Sequence, residues 1–353
     1  MPDTTPPGPP PGPRDPGDAW AVGPDGTKAW GRFGAAGLLV DDGSGRVLLQ
    51  HRVEWSHHGG TWGIPGGARH QGEDAVTGAL RESAEEAGVP FDGVDLRHTA
   101  VLDLGFWTYT TVVGRASRPF EPVIADRESL ELAWVPVADV EDLPLHPGFG
   151  ASWPALRARI ETTPHVVVDA ANVVGSVPDG WWKDRPGAAS RLIGSVEALA
   201  AAGVPADRLA LPFDRWWPRW TVVLEGEARA ADPSGAPGAG DAGAAGAGAG
   251  AAAAGAAGAA GAAGAAGAPV GGAGGAGAAG VADAAAGRAV AADQVSVVRA
   301  PGSGDDAIVE AARAAVAVAD APVVVVTADR GLRARVEDLG AVVHGPSWLR
   351  DQF

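Results

Sequence analysis

Three glutamates, Glu82, Glu85 and Glu86, stand at positions i, i+3 and i+4 of the chain. On an α-helix that spacing puts all three carboxylates on one face. Carboxylates held together repel one another unless a cation intervenes, and oxygen donors of this kind suit a hard divalent ion, Mg²⁺ or Mn²⁺. A glutamate cluster usually marks a solvated helix face with basic residues interspersed. Here only Arg81 lies nearby, and the turn Ile64-Pro65-Gly66-Gly67 stands ahead of the helix. Glycine at such a turn lets backbone approach a metal or a phosphate closely. Types and spacing together point to metal-assisted phosphate chemistry.

A second set of acids lies further along the chain. Asp169 ends the apolar run Val166-Val167-Val168, with Asn172 three residues later. Asp305 and Asp306 open a helical pattern after Pro301-Gly302-Ser303-Gly304, and Asp329 follows the run Val323 to Val326. In a parallel sheet, ligands gather at the carboxyl ends of the strands. Asp169 and Asp329 belong at that edge, and Asp305 or Asp306 can reach it from a helix start. Singly, such aspartates are commonly helix caps; as a set they suggest a divalent metal site.

The spacing from Gly67 to Val89 resembles the Nudix box: Gly67, five residues, Glu73, seven residues, Arg81-Glu82, Ser83, one residue, Glu85-Glu86, one residue, Gly88 and Val89. Ser83 departs from the pattern, which usually has a larger apolar residue there. The likeness extends over about residues 30 to 160, through Trp62-Gly63-Ile64-Pro65-Gly66-Gly67 and Leu132-Ala133-Trp134-Val135-Pro136. The resemblance implies an α/β/α sandwich with a mixed sheet and hydrolysis of a diphosphate linked to another group. It also implies that Glu82, Glu85 and Glu86 bind Mg²⁺ (or Mn²⁺), with the Gly67 carbonyl as an extra ligand, and that Arg81 braces the loop and orients Glu73. The general base stays open among Glu85, Glu86 and two loop acids, Glu128 and Glu131. The substrate class implied is a nucleotide-type small molecule. Trp55, Trp62, Phe106, Trp107 and Tyr109 are candidates to stack on its base, although such residues are more often core. His57-His58 is a candidate for phosphate contact.

The segments around Asp169 and Asp329 resemble the NYN branch of PIN-like nuclease domains, particularly the YacP-like group. That family has an Asp-x-x-Asn motif after the first strand, an acid at a later helix start and another Asp after a late strand. Asp169, Asn172, Asp305 (alternatively Asp306) and Asp329 fit those places. The resemblance implies a Rossmannoid α/β domain with a parallel sheet and metal-dependent cleavage of RNA. Two aromatic-basic clusters fit RNA as a partner, Trp181-Trp182-Lys183-Asp184-Arg185 and Trp216-Trp217-Pro218-Arg219-Trp220, since tryptophan stacks on unpaired bases and arginine or lysine pairs with phosphate. They can equally be core. An alternative of a different class is a nucleotide-sensing Nudix module that regulates an RNA-binding or RNA-cleaving partner domain.

The elements that must position these residues follow from local pattern. Strands are expected over 33–40, 46–52, 99–114 and 132–137, with helices over 73–87 and 151–161. Beyond residue 163, apolar strands at 166–168, 220–224, 295–298 and 323–326 alternate with helices at 187–202 and 305–319, which implies a parallel α/β sheet. The expected organisation is a disordered Pro/Gly-rich segment over 1–28, a hydrolase domain over 29–162, and a second domain over 163–353 interrupted by a flexible Ala/Gly insert over 230–287.

A chain of 353 residues has room for two such domains. It contains no cysteine, which excludes disulfides, thiolate metal sites and a cysteine nucleophile. The formal charge of −16 argues against general nucleic-acid binding. No apolar run is long enough for a bilayer and no signal-peptide pattern opens the chain, so no membrane partner and a cytoplasmic location are expected.

Overall fold

The computed structural model describes residues 15–232, 294–318 and 321–353. Contacts divide them into two units, one comprising residues 15–164 and 201–218, the other 165–200, 219–232 and the residues from 294 onward. Residues 201–218, expected in the second domain, therefore group with the first unit.

The first unit opens with a hairpin, β1 (Trp20–Val22) against β2 (Lys28–Trp30). This corrects the expected disorder over 1–28 for its described part, and residues 1–14 of that segment lie outside the described residues. The hairpin is closed locally: Gly23 N donates to Thr27 O (2.8 Å), Asp25 accepts from Thr27 N (3.0 Å), and Trp20 meets Trp30 edge-on at 5.3 Å.

A mixed nine-stranded sheet follows. β3 (Ala35–Asp41) is buried along its whole length. It pairs in parallel with β8 (Thr108–Ala116) and antiparallel with β4 (Arg46–Arg52) and β6 (Gly66–Ala68). β5 (Trp62–Gly63) and β9 (Ser129–Pro136) flank β4, and β7 (Val94–Asp103) flanks β8. Alternation along β4 sends Leu48 toward α1 (Ala75–Ala87), in one cluster with Leu38, Val40, Ala79 and Leu80. Val47 and Leu49 face the other way, toward Phe149, Trp153 and Leu156 of α2 (Pro147–Arg157). A sheet with a helix on each face is the α/β/α arrangement expected.

Helix α1 is delimited by its own residues. Asp74 caps it by accepting from Val76 N and Thr77 N (2.9 and 3.0 Å), and Gly88 ends it at φ 66°, a left-handed value that glycine adopts without cost. Asp74→Ala should lower unfolding free energy by about 1 kcal/mol, read as a shift in denaturant midpoint at unchanged slope. Helix α2 begins at Pro147, four residues before the expected start at 151. Proline suits a first helical turn, and the His146 ring accepts from Gly148 N (3.2 Å).

The chain enters the second unit as β10 (His165–Asp169), α3 (Ala170–Gly175) and α4 (Arg185–Ala202). It returns to the first as β11 (Val204–Pro205) and β12 (Arg215–Trp216), which add to the sheet where Trp216 faces His98 and Arg215 faces Thr99 on β7. The second unit is completed by β13 (Arg219–Leu224), β14 (Val295–Arg299), α5 (Gly304–Val318), β15 (Val323–Val326), α6 (Arg330–Glu337), β16 (Val342–His344) and α7 (Pro346–Arg350). Its five strands are all parallel, in the order β14-β13-β10-β15-β16. The connectivity reverses direction at β10. Of the expected insert over 230–287, only 230–232 fall among the described residues. Among those residues, no helix is long and apolar enough to cross a membrane.

Candidate functional site

The acids of α1 meet the bend at β6. Gly66 N donates to Glu86 Oε2 (2.9 Å). A Cβ placed on Gly67 would lie 2.6 Å from the Glu82 carboxyl carbon, so the absence of a side chain there lets that carboxylate lie against the bend. Gly66 is equally constrained, since a Cβ would stand 2.4 Å from Gly37 Cα on β3. The carboxylates of Glu82 and Glu86 thus converge on backbone that only glycine allows.

Arg81 organises the other side. Its Nε and Nη2 bond the two oxygens of Glu73 (2.8 and 3.0 Å), Nη2 also donates to Ala68 O (3.0 Å), and Nη1 reaches Glu82 (2.9 Å) and Glu85 (3.2 Å). Against the cost of its burial, Glu73 is held below the usual carboxylate range by Arg81 and by the N–H of His70. The guanidinium is thereby spent on Glu73, the loop carbonyl and one edge of the acidic cluster. Ser83, where a larger apolar residue is usual, is fully buried and donates to Leu80 O (3.0 Å), so it packs without disturbing the face.

Burial pushes the Glu82 carboxyl up to about 7, opposed by Arg81. Burial, then Glu82 and Asp126, push Glu86 well above the usual carboxylate range. Glu85 is by contrast 61% exposed at its side chain. Glu128 is buried, and burial raises it to about 7, with Arg52 opposing and Asp126 adding to the rise. Its Oε2 lies 4.0 Å from Arg52 Nη2.

Asp126 and Arg52 had no motif to announce them. Asp126 accepts from Ser129 Oγ (2.7 Å), which itself accepts from Gln50 Nε2 (2.8 Å). The segment carrying it is fastened to the end of α1 by Val123 N to Ala87 O (3.0 Å) and Ala125 N to Glu86 O (3.3 Å). Its place two residues before Glu128 was the available signal. Glu131 is corrected: it is exposed and registers with His51, and strand alternation puts it with Ala133 and Val135 on the α2 face, away from α1.

In the second unit, Asp169 is buried where β10 ends. Its Oδ2 accepts from Thr327 Oγ1 (2.8 Å) and Asn172 Nδ2 (2.7 Å), and Oδ1 accepts from Asn172 N (3.0 Å). Burial raises its carboxyl despite these donors. Burial also raises Asp305, with Asp329 and Asp169 adding to it, so three acids share one field at the carboxyl edge of the sheet. Asp329 is exposed and caps α6, accepting from Leu332 N (2.7 Å). Asp306 is corrected: one residue further round α5, it turns out to Arg335 (2.6 Å) and is 72% exposed. Glu225 was missed, although it directly follows strand β13 as Asp329 follows the end of β15. It accepts from Gly304 N (2.9 Å), the first residue of α5.

The aromatic candidates separate by burial. Trp62 and Trp107 are core, whereas Trp55 is 63% exposed and Phe106 and Tyr109 are half-buried. Trp216, Trp217 and Trp220 are buried, so of the two readings open for that cluster they take the core one. The first two indoles are satisfied by Pro212 O (2.8 Å) and Ala201 O (3.1 Å). Trp182 is exposed, and Arg185 lies 5.6 Å over the Trp181 ring.

The NUDIX domain family model matches residues 31–156. A putative 8-oxo-dGTP diphosphatase 3 of Mycobacterium tuberculosis is 50% identical over 161 residues, covering 43% of this chain and 74% of that protein. A nucleoside triphosphate pyrophosphatase/Nudix hydrolase fusion protein of Bifidobacterium longum is 42% identical over 156 residues, covering 42% of this chain and 32% of the fusion. Among solved structures, a Nudix hydrolase from M. smegmatis, RenU, is 47% identical over 40% of this chain and 94% of its own, with a TM-score of 0.38. With the box filled, its acids gathered at the glycine bend and half of one relative's aligned residues shared, the chain belongs to the Nudix family.

Proposed function

We propose that the first unit, residues 29–162 in the main, hydrolyses a phosphoric anhydride bond of a nucleoside triphosphate, with Mg²⁺ or Mn²⁺ held by Glu82, Glu85 and Glu86. The observation that carries this reading is the pair of half-buried carboxylates, Glu82 and Glu86, set against the Gly66–Gly67 bend, with Arg81 largely committed to Glu73. Two half-buried acids converging beside a glycine bend are a donor set that fits a hard divalent ion. When bound, such an ion screens phosphate charge and acidifies water. Arg81 acts as a positioning residue, locking Glu73 and the Ala68 carbonyl so that the loop holds its shape. Glu128 is poised as the proton acceptor for the attacking water, because a base works best when its pKa lies near the working pH. The name of the Mycobacterium tuberculosis relative, a putative 8-oxo-dGTP diphosphatase, supports the nucleoside triphosphate class.

A screen of nucleoside di- and triphosphates, dinucleoside polyphosphates and nucleotide sugars with Mg²⁺, with products resolved chromatographically, tests this. Nucleoside triphosphates should yield the monophosphate and pyrophosphate fastest. No metal-dependent turnover of any member would remove the assignment.

For the second unit we infer metal-dependent cleavage of RNA. The supporting observation is that Asp169, Asp305, Asp329 and Glu225 line the carboxyl edge of a parallel sheet beside the strand where connectivity reverses, the place where open α/β sheets bind ligands. Asp169→Asn, which keeps the shape and removes the charge, should abolish Mn²⁺-dependent cleavage of a single-stranded RNA. Equal cleavage by wild type and variant would assign the activity elsewhere.

A further inference from the structure

Three histidines outside both acid sets converge in the first unit. His57 and His58 lie in the loop between β4 and β5, and His146 stands just before α2. A ring nitrogen of each lies within 4.8 Å of those of the other two. His58 meets His57 edge-on at 4.1 Å between ring centres and His146 edge-on at 4.8 Å.

The backbone holds these segments in place whatever the rings do. His58 sits at φ 55°, a left-handed value uncommon outside glycine, and its carbonyl accepts from Thr61 Oγ1 (2.6 Å). The loop is cinched by Gly60 N to Arg52 O (2.9 Å) and Gly59 N to Ser56 O (2.9 Å). On the other side, His146 N donates to Trp62 O (2.7 Å) and Trp62 N to Pro144 O (2.8 Å). An unfavourable backbone angle maintained by the surrounding bonds is a sign that a side chain is being aimed.

We propose that His57, His58 and His146 form a second metal site in the first unit, selective for a borderline transition ion such as Zn²⁺. Neutral imidazole suits Zn²⁺, Ni²⁺ or Cu²⁺, whereas Mg²⁺ prefers carboxylate and water oxygen. The set contains no carboxylate, so its chemistry differs from that of Glu82, Glu85 and Glu86. Three protein ligands leave the fourth position of a tetrahedral ion to water. His146 Nδ1 already accepts from Gly148 N, at a long 3.2 Å. An ion at Nδ1 takes over that lone pair, and an ion at Nε2 requires the ring proton to sit on Nδ1. In either case the cap bond is exchanged for the metal bond, so occupancy is coupled to the first turn of α2. The loop runs directly into β5 and β6, so the ion would fasten the chain just ahead of the Gly66–Gly67 bend.

Co²⁺ titration of the full chain in saturating Mg²⁺, followed by visible d–d absorption, tests the site. One Co²⁺ per chain should bind with tetrahedral bands and be displaced by Zn²⁺. His58→Gln and His146→Gln should each weaken binding at least about tenfold, the lower end of what even outer partners of a metal site are worth. Glu86→Gln should leave it intact. His57→Gln alters an exposed ring and perturbs the fold least, so it must weaken Co²⁺ on its own account, with an unchanged metal-free Tm. Absence of Co²⁺ binding under excess Mg²⁺, equal binding by the histidine variants, or loss in Glu86→Gln alone would each overturn the proposal.

Discussion

Glu86→Gln is expected to lower kcat for nucleoside triphosphate hydrolysis by a factor of about 10² or more, the scale on which loss of one preorganised electrostatic group acts, while the variant stays folded. Glutamine keeps the shape and can still accept from Gly66 N. What disappears is the charge, and with it the repulsion against Glu82 and Asp126. A pH signature in metal-free protein follows. Glu82 has an ordinary value of 4.5 and is raised to about 7 in the fold. A carboxyl raised on folding binds its proton more tightly in the folded state. Stability is therefore greatest below the unfolded value and falls as pH rises between roughly 4.5 and 7, by on the order of 3 kcal/mol from this group alone. The Tm of wild type in chelator should drop across that window and recover with Mg²⁺. In Glu86→Gln the drop should shrink, because Glu82 loses the neighbouring charge. A variant as active as wild type, or a Tm flat across the window, would remove Glu86 from the site.

The second large effect is expected at Glu128. Its raised value of about 7 means that a proton acceptor there is half-ionised near neutrality. kcat/KM should climb with pH to a plateau above about 7, and Glu128→Gln should lower the plateau by a factor of about 10² to 10⁴, the usual contribution of a general base, and erase the acid limb. Glu131→Gln, on the other face of the sheet, should leave both rate and profile unchanged. The reverse outcome would move the base to a strand position that the register assigns to the α2 side.

The box was legible because one helix carries it. Three acids and Arg81 within six residues obey the period of an α-helix, and Asp74 and Gly88 mark its ends. Asp126 and Arg52 were not legible, because they reach the site through the pairing of β4 with β9. That ladder shifts register between His51 and Arg52, and a one-residue change in register exchanges the faces of a strand. The same shift decides between Glu128 and Glu131. In the second unit, the strand-end rule found Asp169 and Asp329 and applied equally to Glu225. Asp305 and Asp306 are adjacent, and only the rotation of α5 against the sheet directs one inward and the other to Arg335.

The 201–218 segment was misplaced for a related reason. Its tryptophans and arginines have the composition of a nucleic-acid surface, yet Trp216 packs 4.4 Å from the His98 ring on β7. His98 is buried, and burial, then Arg97, lowers it to about 3, so it packs as a neutral ring. Two-residue strands joined by a nine-residue connection carry too little local pattern to reveal such a long-range pairing.

Mn²⁺ binding read by electron paramagnetic resonance, which reports the free ion directly, tests most closely whether the acids of α1 gather a hard cation at the glycine bend. Wild type should take up Mn²⁺ in competition with Mg²⁺, and a chain with Glu82, Glu85 and Glu86 all changed to Gln should lose the ions bound in its first unit while keeping those abolished by Asp169→Asn. The same Mn²⁺ stoichiometry and affinity in wild type and the triple variant would contradict the assignment.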